Sequence, residues 1–393
     1  MEIHTPAQLR ELMPALANKT YFNYGGQGPL PTPALAAITA SWERIQELGP
    51  FSSDIWPWVS QQVSGLRGSL AALCGVAPAR LALTENVSSG CVLPLWGLPW
   101  QPGDELLISD CEHPGIVAAC RELARREGLT LTSLAVKKVR GDSAAAVAGA
   151  VLTALEAALT PRTHLVVLSH LLWNTGLVMP IAAVAARLQQ QPRHPWLLVD
   201  AAQSVGSLPV AEAASCADIY AFTGHKWCCG PEGLGGVALS ERLLLESQPT
   251  LGGWRSLASE SDGASQWHRD ARRFEVATSC TPLLAGLSTS LALLGSLGSC
   301  AERLATIQAG SNRLWLGLQA IDGISPLLSG PPPAGLVSFQ LEGRSPEAVV
   351  QALGQQRIWL RSLDDPACLR ACTHVTTSAA EVDQLLDALR ELA

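Results

Sequence analysis

Between about residue 75 and residue 240 the chain alternates short apolar runs with helical segments, and few architectures accommodate that rhythm. The run Glu105-Leu106-Leu107-Ile108-Ser109 follows the turn Pro102-Gly103-Asp104 and reads as a buried strand. Residues 129–135, 164–169, 196–199 and 219–222 read the same way. Between them, Pro114 suits the first position of a helix that ends near Gly128, and 144–159 is an alanine-rich helix closed by Pro161. Strands alternating with helices predict a mostly parallel sheet with helices on both faces. Ligands of such an α/β fold sit outside the carboxyl ends of the strands.

Two of those strand ends carry reactive side chains. Ile219-Tyr220-Ala221-Phe222 runs into Thr223-Gly224-His225-Lys226-Trp227, and then into the glycine-rich Gly230-Pro231-Glu232-Gly233-Leu234-Gly235-Gly236. A lysine at the mouth of a buried strand is poorly hydrated, which favours its neutral, nucleophilic amine and Schiff-base chemistry. Taken alone, it is a surface lysine after a strand. It is not alone: Trp196-Leu197-Leu198-Val199 ends in Asp200-Ala201-Ala202-Gln203. An acid at one strand end and a lysine at the next are the two groups that pyridoxal phosphate requires, a carboxylate to keep its ring nitrogen protonated and an amine to carry it. Gln203 is placed to bond the ring oxygen. The plainer reading of Asp200 is a helix N-cap.

At 393 residues the chain has room for two or three domains and a large core. A net charge of −7 with no run of basic residues argues against nucleic acid or an anionic membrane as partner. Met1-Glu2-Ile3-His4-Thr5 has neither the basic nor the apolar region of a secretory signal. The uncharged stretch 282–300 approaches the length of a membrane span, but its glycines and serines predict a buried helix or helix pair. Eleven scattered cysteines without a C-x-x-C pair predict reduced thiols and a cytoplasmic location. No spacing of Cys or His predicts a metal site.

Ser329-Gly330-Pro331-Pro332-Pro333 cannot continue a helix or a central strand. Beyond it lie strand candidates 336–341 and 357–363, separated by a helix begun by Ser345-Pro346-Glu347. The last helix starts with the capping box Ser378-Ala379-Ala380-Glu381 and carries Val382, Leu385, Leu386, Leu389 and Leu392 on one face. This spacing suits a small α+β domain. The predicted division is an N-terminal segment 1–20 joining the small domain, a large cofactor-binding domain 21–285, and a small C-terminal domain 286–393 with its connecting helix.

Five stretches carry a family likeness: Tyr21-Phe22-Asn23-Tyr24-Gly25-Gly26-Gln27-Gly28, Asp110-Cys111-Glu112-His113-Pro114-Gly115, Leu168-Ser169-His170-Leu171-Leu172-Trp173-Asn174-Thr175-Gly176, Phe222-Thr223-Gly224-His225-Lys226-Trp227 and Arg273-Phe274-Glu275-Val276-Ala277-Thr278-Ser279. In that order they resemble the class V aminotransferase family of fold-type I pyridoxal phosphate enzymes, which includes cysteine desulfurases, kynureninases and cystine C–S lyases. The likeness covers nearly the whole chain, and five blocks in order are specific where one alone would not be.

The resemblance implies roles residue by residue. Lys226 carries the cofactor and shuttles protons, Asp200 faces the ring nitrogen, and His113 stacks on the ring. Ser88 and Ser89, in Asn86-Val87-Ser88-Ser89-Gly90, are phosphate donors at a helix start, where free N–H groups and the helix dipole favour an anion. A simple N-cap is the alternative for that pair. Thr223 and His225 are further phosphate contacts, and Thr278 comes from the neighbouring subunit of a homodimer with shared active sites. Asn174 joins Gln203 in the ring-oxygen region. Arg370 grips the substrate α-carboxylate, to which a bidentate fork is suited. Arg361 is a second guanidinium nearby or a surface salt bridge, and Gly26 and Trp254 complete the substrate side.

One departure bears on function. Desulfurases of this family carry a nucleophilic cysteine on a mobile loop upstream of the carboxylate-binding arginine. Here the corresponding link, Ser362-Leu363-Asp364-Asp365-Pro366-Ala367, is short and lacks cysteine. Cys368 and Cys372 flank Arg370 on what reads as a strand, where a thiol is structural more often than reactive. The resemblance therefore implies β-elimination from cystine or cysteine, giving pyruvate, ammonia and a persulfide or sulfide. Such sulfur could pass to an acceptor protein, as in iron–sulfur cluster supply. The alternatives are a cysteine desulfurase giving alanine and enzyme-bound persulfide, and a non-catalytic aminotransferase-like binding domain. The retained Lys226, Asp200, His113 and Arg370, with no attached basic segment, weigh against the last.

Overall fold

The computed structural model describes residues 3–140, 143–259 and 266–393. Met1 and Glu2, which open the segment read as an N-terminal arm, lie outside the described residues. Seven strands form the large sheet: β1 (Leu81–Thr84), β2 (Glu105–Ser109), β3 (Thr130–Leu134), β4 (Thr163–Ser169), β5 (Trp196–Asp200), β6 (Ile219–Thr223) and β7 (Gly235–Leu239). Their order is β1-β7-β6-β5-β4-β2-β3, with β7 antiparallel to both neighbours and every other pairing parallel. Strands β2, β5, β6 and β7 are buried at every residue, as expected of a sheet covered on both faces, whereas β3 at the edge buries only Leu134 and carries two threonines.

The strand β7 falls in the glycine-rich run after Lys226 and has no apolar periodicity to announce it. Its glycines answer to a close approach: a Cβ on Gly236 would lie 2.9 Å from the Phe222 ring carbon Cζ. Helix Pro114–Glu127 starts and stops as its sequence indicates, with proline first and Gly128 in the left-handed region at φ +68°. The uncharged stretch forms the helix Thr281–Gly295 and ends where a second, charged helix, Cys300–Gln319, begins at a bend of 77°. The first packs on Thr32–Leu48 and Ile55–Leu73 and buries Leu284, Leu287 and Leu294 in the core of the large sheet. The division at 285 thus falls inside a helix. No single helix among the described residues is long and apolar enough to cross a membrane.

A second, antiparallel sheet comprises β8 (Ile324–Pro326), β9 (Leu336–Leu341), β10 (Arg361–Asp364) and β11 (Ala367–Cys372), in the order β8-β9-β11-β10. Its own core gathers Phe22, Leu314, Val337, Phe339, Leu369 and the face Val382, Leu385, Leu386 and Leu389 of the last helix. That helix, Ala379–Leu392, has the reciprocal Ser378–Glu381 cap, a feature that contributes about 1 kcal/mol. The strand read over 357–363 is broken. Arg357 turns left-handed at φ +61°, Ile358–Trp359 pairs in parallel with Thr20–Tyr21, and only from Arg361 does the chain join β11. Two different partners across the seven residues 358–364 exclude a single straight strand.

Candidate active site

Five strands deliver side chains to one edge of the large sheet. Helix Val87–Leu95 begins just beyond β1, His113 follows β2, Trp173 follows β4, Asp200 ends β5 and Lys226 lies just past β6. A cleft there is lined by Ser88, His113, Trp173, Asp200, Gln203 and Lys226, among others. Residues read from separate strand ends thus meet in one place.

The Lys226 carbonyl accepts the Cys229 amide at 3.0 Å, whereas its amine makes no hydrogen bond or ion pair to a described residue. Burial pushes its amine down to about 8, and the Asp200 carboxylate opposes that fall while Arg370 and Arg361 add to it. Asp200 is 8% exposed and accepts the Ala202 amide at 2.9 Å, an N-cap-like turn that leaves its second oxygen without a described partner. That turn opens no helix, the next beginning at Ala211, so the N-cap reading of Asp200 is not met and its second oxygen remains for a ring nitrogen. Gln203 donates to the Gly25 carbonyl at 2.8 Å and accepts from Trp227 Nε1 at 2.9 Å, so one N–H remains for a ligand. Burial, reinforced by Lys226, lowers the His113 imidazole. Its Nδ1 accepts the Gly115 amide at 3.2 Å, and the ring meets Trp173 edge-on with centroids 5.4 Å apart. A Cβ on Gly115 would lie 3.3 Å from His113 Nδ1 and 3.9 Å from Ser88 Oγ, so glycine keeps this mouth of the cleft open.

Ser88 and Ser89 part company. Asn86, not either serine, caps the helix, and it takes the Ser89 amide at 2.9 Å, whereas Ser88 lines the cleft. Thr223 Oγ1 and His225 Nδ1 bond each other at 2.7 Å, and neither lines the cleft. Asn174 turns its amide toward the small sheet, donating to the Asp365 carbonyl at 3.3 Å while Oδ1 accepts the Thr175 amide at 2.9 Å. The same side chain also hydrogen-bonds the Cys111 thiol, so it faces the hairpin and β2 rather than offering a free donor to a ring oxygen.

The wall opposite comes from β10 and β11, whose register sets Arg361 directly across from Arg370. Directly opposed like charges destabilise an antiparallel pair unless an anion lies between them. Arg370 is 1% exposed, with Nη1 donating to the Trp173 carbonyl at 2.9 Å and Nη2 to Asn23 Oδ1 at 3.4 Å. Its Nε has no partner among the described residues, and Arg361 makes no ion pair there, so the salt-bridge reading of Arg361 finds no carboxylate. A Cβ on Gly25 would lie 3.1 Å from Arg370 Cζ, whereas Gly26 faces Asn23. Trp254 and Thr278 are absent from the cleft. Both are exposed, Trp254 packs edge-on against Trp56, and Arg255 ties the two segments by donating to Ser279 Oγ at 2.7 Å.

Two residues not singled out from the sequence also contribute. Trp173 lines the cleft and accepts Arg370, and Glu112, one position before His113, lies buried beneath the floor. Each sits beside a residue that was singled out, but nothing in its own type points to the site. Among the described residues no cluster of His, Cys, Asp or Glu could hold a metal ion.

The residues present fit pyridoxal phosphate: an amine of lowered proton affinity, a carboxylate oxygen with no partner, a helix start with a free serine, and a buried guanidinium nitrogen left unpaired. Comparisons with known proteins agree. The cystine C–S lyase C-DES, solved with its reaction product cysteine persulfide, is 44% identical, with a TM-score of 0.90 over 96% of this chain and 99% of that one. A lysine-to-alanine variant of C-DES was solved with glycine covalently linked to the cofactor. The isopenicillin N epimerase of Amycolatopsis lactamdurans is 30% identical over 97% of this chain and 96% of its own, while the match to that of Streptomyces clavuligerus, 32% identical, spans 61% of this chain and 58% of the relative. A probable cysteine desulfurase of Pseudomonas aeruginosa is 30% identical over 79% of this chain and 78% of its own. The aminotransferase class-V family model matches residues 59–385, a span containing every strand of both sheets. With lysine, carboxylate and arginine meeting at one sheet edge, that match places this chain in the class V aminotransferase family of fold-type I pyridoxal phosphate enzymes.

Proposed function

We propose that this chain is a pyridoxal phosphate-dependent carbon–sulfur lyase that performs β-elimination on cystine or cysteine. For cystine, one molecule and one water give pyruvate, ammonia and cysteine persulfide. When bound, the cofactor supplies the electron sink that makes the substrate α-proton acidic. Arg370, with Arg361 across from it, holds the α-carboxylate. Lys226, its amine shifted toward the neutral form, would take the α-proton and, as its conjugate acid, pass a proton to the departing sulfur. With the cofactor bound, Asp200 would keep its ring nitrogen cationic and His113, in the same cleft, would lie against the ring.

The observation that carries the lyase reading is the hairpin between β10 and β11. Asp364 pairs directly with Ala367, so the connection is the two residues Asp365-Pro366, pinned by Asn174 at the Asp365 carbonyl and by Lys137 at its carboxylate, 2.6 Å away. A tight, cysteine-free turn cannot carry a nucleophile to a substrate sulfur. Nor do the flanking thiols serve: burial pushes Cys368 up to about 11 and raises Cys372 despite Arg370 beside it. This weighs against the desulfurase alternative. The Cys368→Ala, Cys372→Ala double variant should convert cystine within about tenfold of the parent, a barrier change under roughly 1.4 kcal/mol. Loss of turnover in the correctly folded double variant would favour a desulfurase.

We also propose a homodimer with shared sites. Thr278 and Trp254 support it, because both match site residues of the family yet lie on one exposed surface away from their own cleft. The chain is divided after Gly295, with Thr281–Gly295 kept on the large unit whose core it completes. Eleven free thiols support a reducing compartment such as the cytoplasm. The persulfide product calls for a sulfur-accepting partner.

A further inference from the structure

Glu112 is a buried carboxyl, 7% exposed, that the chemistry above leaves unused. Its Oε1 accepts Ser109 Oγ at 2.5 Å and the Ser169 amide at 2.7 Å, and its Oε2 accepts Ser169 Oγ at 2.7 Å. Ser109 ends β2, and Ser169 ends the adjacent β4. The residue bonded from above, Ser169, lines the cleft and is the register partner of Asp200. The Ser109 hydroxyl already accepts the Cys111 amide at 3.3 Å, which directs its proton to Glu112. Three donors aimed at one carboxyl are the environment of an anion. Charged and titratable neighbours are Asp200, the thiols Cys91, Cys111 and Cys120, and Asp110, Arg121 and the Lys137-paired Asp365, which line a second cavity together with Glu112.

We propose that Glu112 is a positioning residue that works by charge: ionised, it clamps the ends of β2 and β4 under the cleft and strengthens Asp200 as the anchor of a cationic cofactor ring. This rests on the reading of the cleft as a pyridoxal phosphate site. Two nearby carboxylates repel each other, and a cation held at Asp200 is attracted by both. Burial, opposed by the serine hydrogen bonds, pushes Glu112 up to about 7, with the Asp200 charge adding to the rise. The clamp therefore switches within the physiological range. A raised carboxyl favours the folded state while protonated. That contribution is full below the ordinary value of 4.5 and is lost as the pH climbs through about 7. Ionised Glu112 thus costs the cofactor-free protein stability while helping it to hold the cofactor.

Glu112→Gln keeps the shape and the acceptor oxygen but cannot ionise. Dissociation constants for pyridoxal 5′-phosphate, read from visible absorbance, should be about tenfold weaker than wild type near pH 8.5, the difference closing toward pH 5.5. Thermal unfolding of the cofactor-free proteins should find the variant at least as stable as wild type near pH 8.5. Equal constants, or a ratio independent of pH, would overturn the proposal. A variant that unfolds more easily at alkaline pH, or does not fold, would make Glu112 a structural prop and overturn it too. Wild-type protein that binds no cofactor would sink both this proposal and the reading of the cleft, whereas normal wild-type binding with a flat ratio sinks only this one.

Discussion

On the floor of the cleft, at the ends of β2, β4 and β5, the polar groups are tied down: Glu112 receives three donors, Asp200 one, and Gln203 is bonded at both ends of its amide. On the wall, β10 and β11 set Arg361 against Arg370 with no carboxylate paired to either among the described residues, and Arg370 Nε has no described partner. The floor is organised for a group that stays. The wall holds positive charge in readiness for an anion that comes and goes, such as a substrate carboxylate. Preorganised donors of this kind favour binding because little has to move when the charge arrives.

The largest effect should come from the floor. Lys226→Ala should remove covalent cofactor attachment and lower turnover by about a thousandfold or more. Borohydride reduction followed by peptide mass analysis checks it, and a labelled peptide elsewhere in the variant would contradict the assignment. Because only the neutral amine attacks, cofactor capture by the wild-type cofactor-free protein should quicken about tenfold per pH unit and level off above about 8.

The wall should show a different signature. Arg370→Lys should weaken substrate capture by about one to two powers of ten, the equivalent of roughly 1.5–3 kcal/mol, with cofactor content unchanged. If cofactor binding failed while substrate capture did not, the division into floor and wall would be mistaken. The smallest effect concerns the surface that neither region includes. Mixed dimers of Lys226→Ala and Thr278→Asp chains should recover roughly a quarter of wild-type activity, since half of randomly paired dimers contain one intact site. Proven heterodimers without activity would show that Thr278 does not complete a partner's site.

Strand ends proved readable because buried parallel strands are continuous apolar runs: β2 has the boundaries its sequence indicates, and β5 and β6 extend one residue beyond them, to Asp200 and Thr223. The glycine-rich β7 was not readable, because close packing against Phe222 rather than side-chain hydrophobicity makes it a strand. The same limit applies at the site. Lys226, Asp200 and His113 carry chemistry in their residue types and were legible as candidates. Hydrogen-bond partners were not: Asn86 in place of Ser88 or Ser89 as the cap, Asn174 turned to the hairpin, and Glu112 joining two strands all depend on tertiary neighbours. Likewise, tertiary partners split 357–363: Ile358–Trp359 pairs with Thr20–Tyr21 and the residues from Arg361 pair with β11, a change of partner at Leu360.

The central claim is that the pinned hairpin and the buried thiols leave β-elimination as the outcome for a sulfur amino acid held between floor and wall. Incubating the wild-type holoenzyme with cystine and, separately, with cysteine, and quantifying the three-carbon product of each, tests it most directly. The account predicts pyruvate and ammonia in equal amounts, with cysteine persulfide as the sulfur product. Alanine as the main carbon product of cysteine, with persulfide retained on the protein, would contradict it.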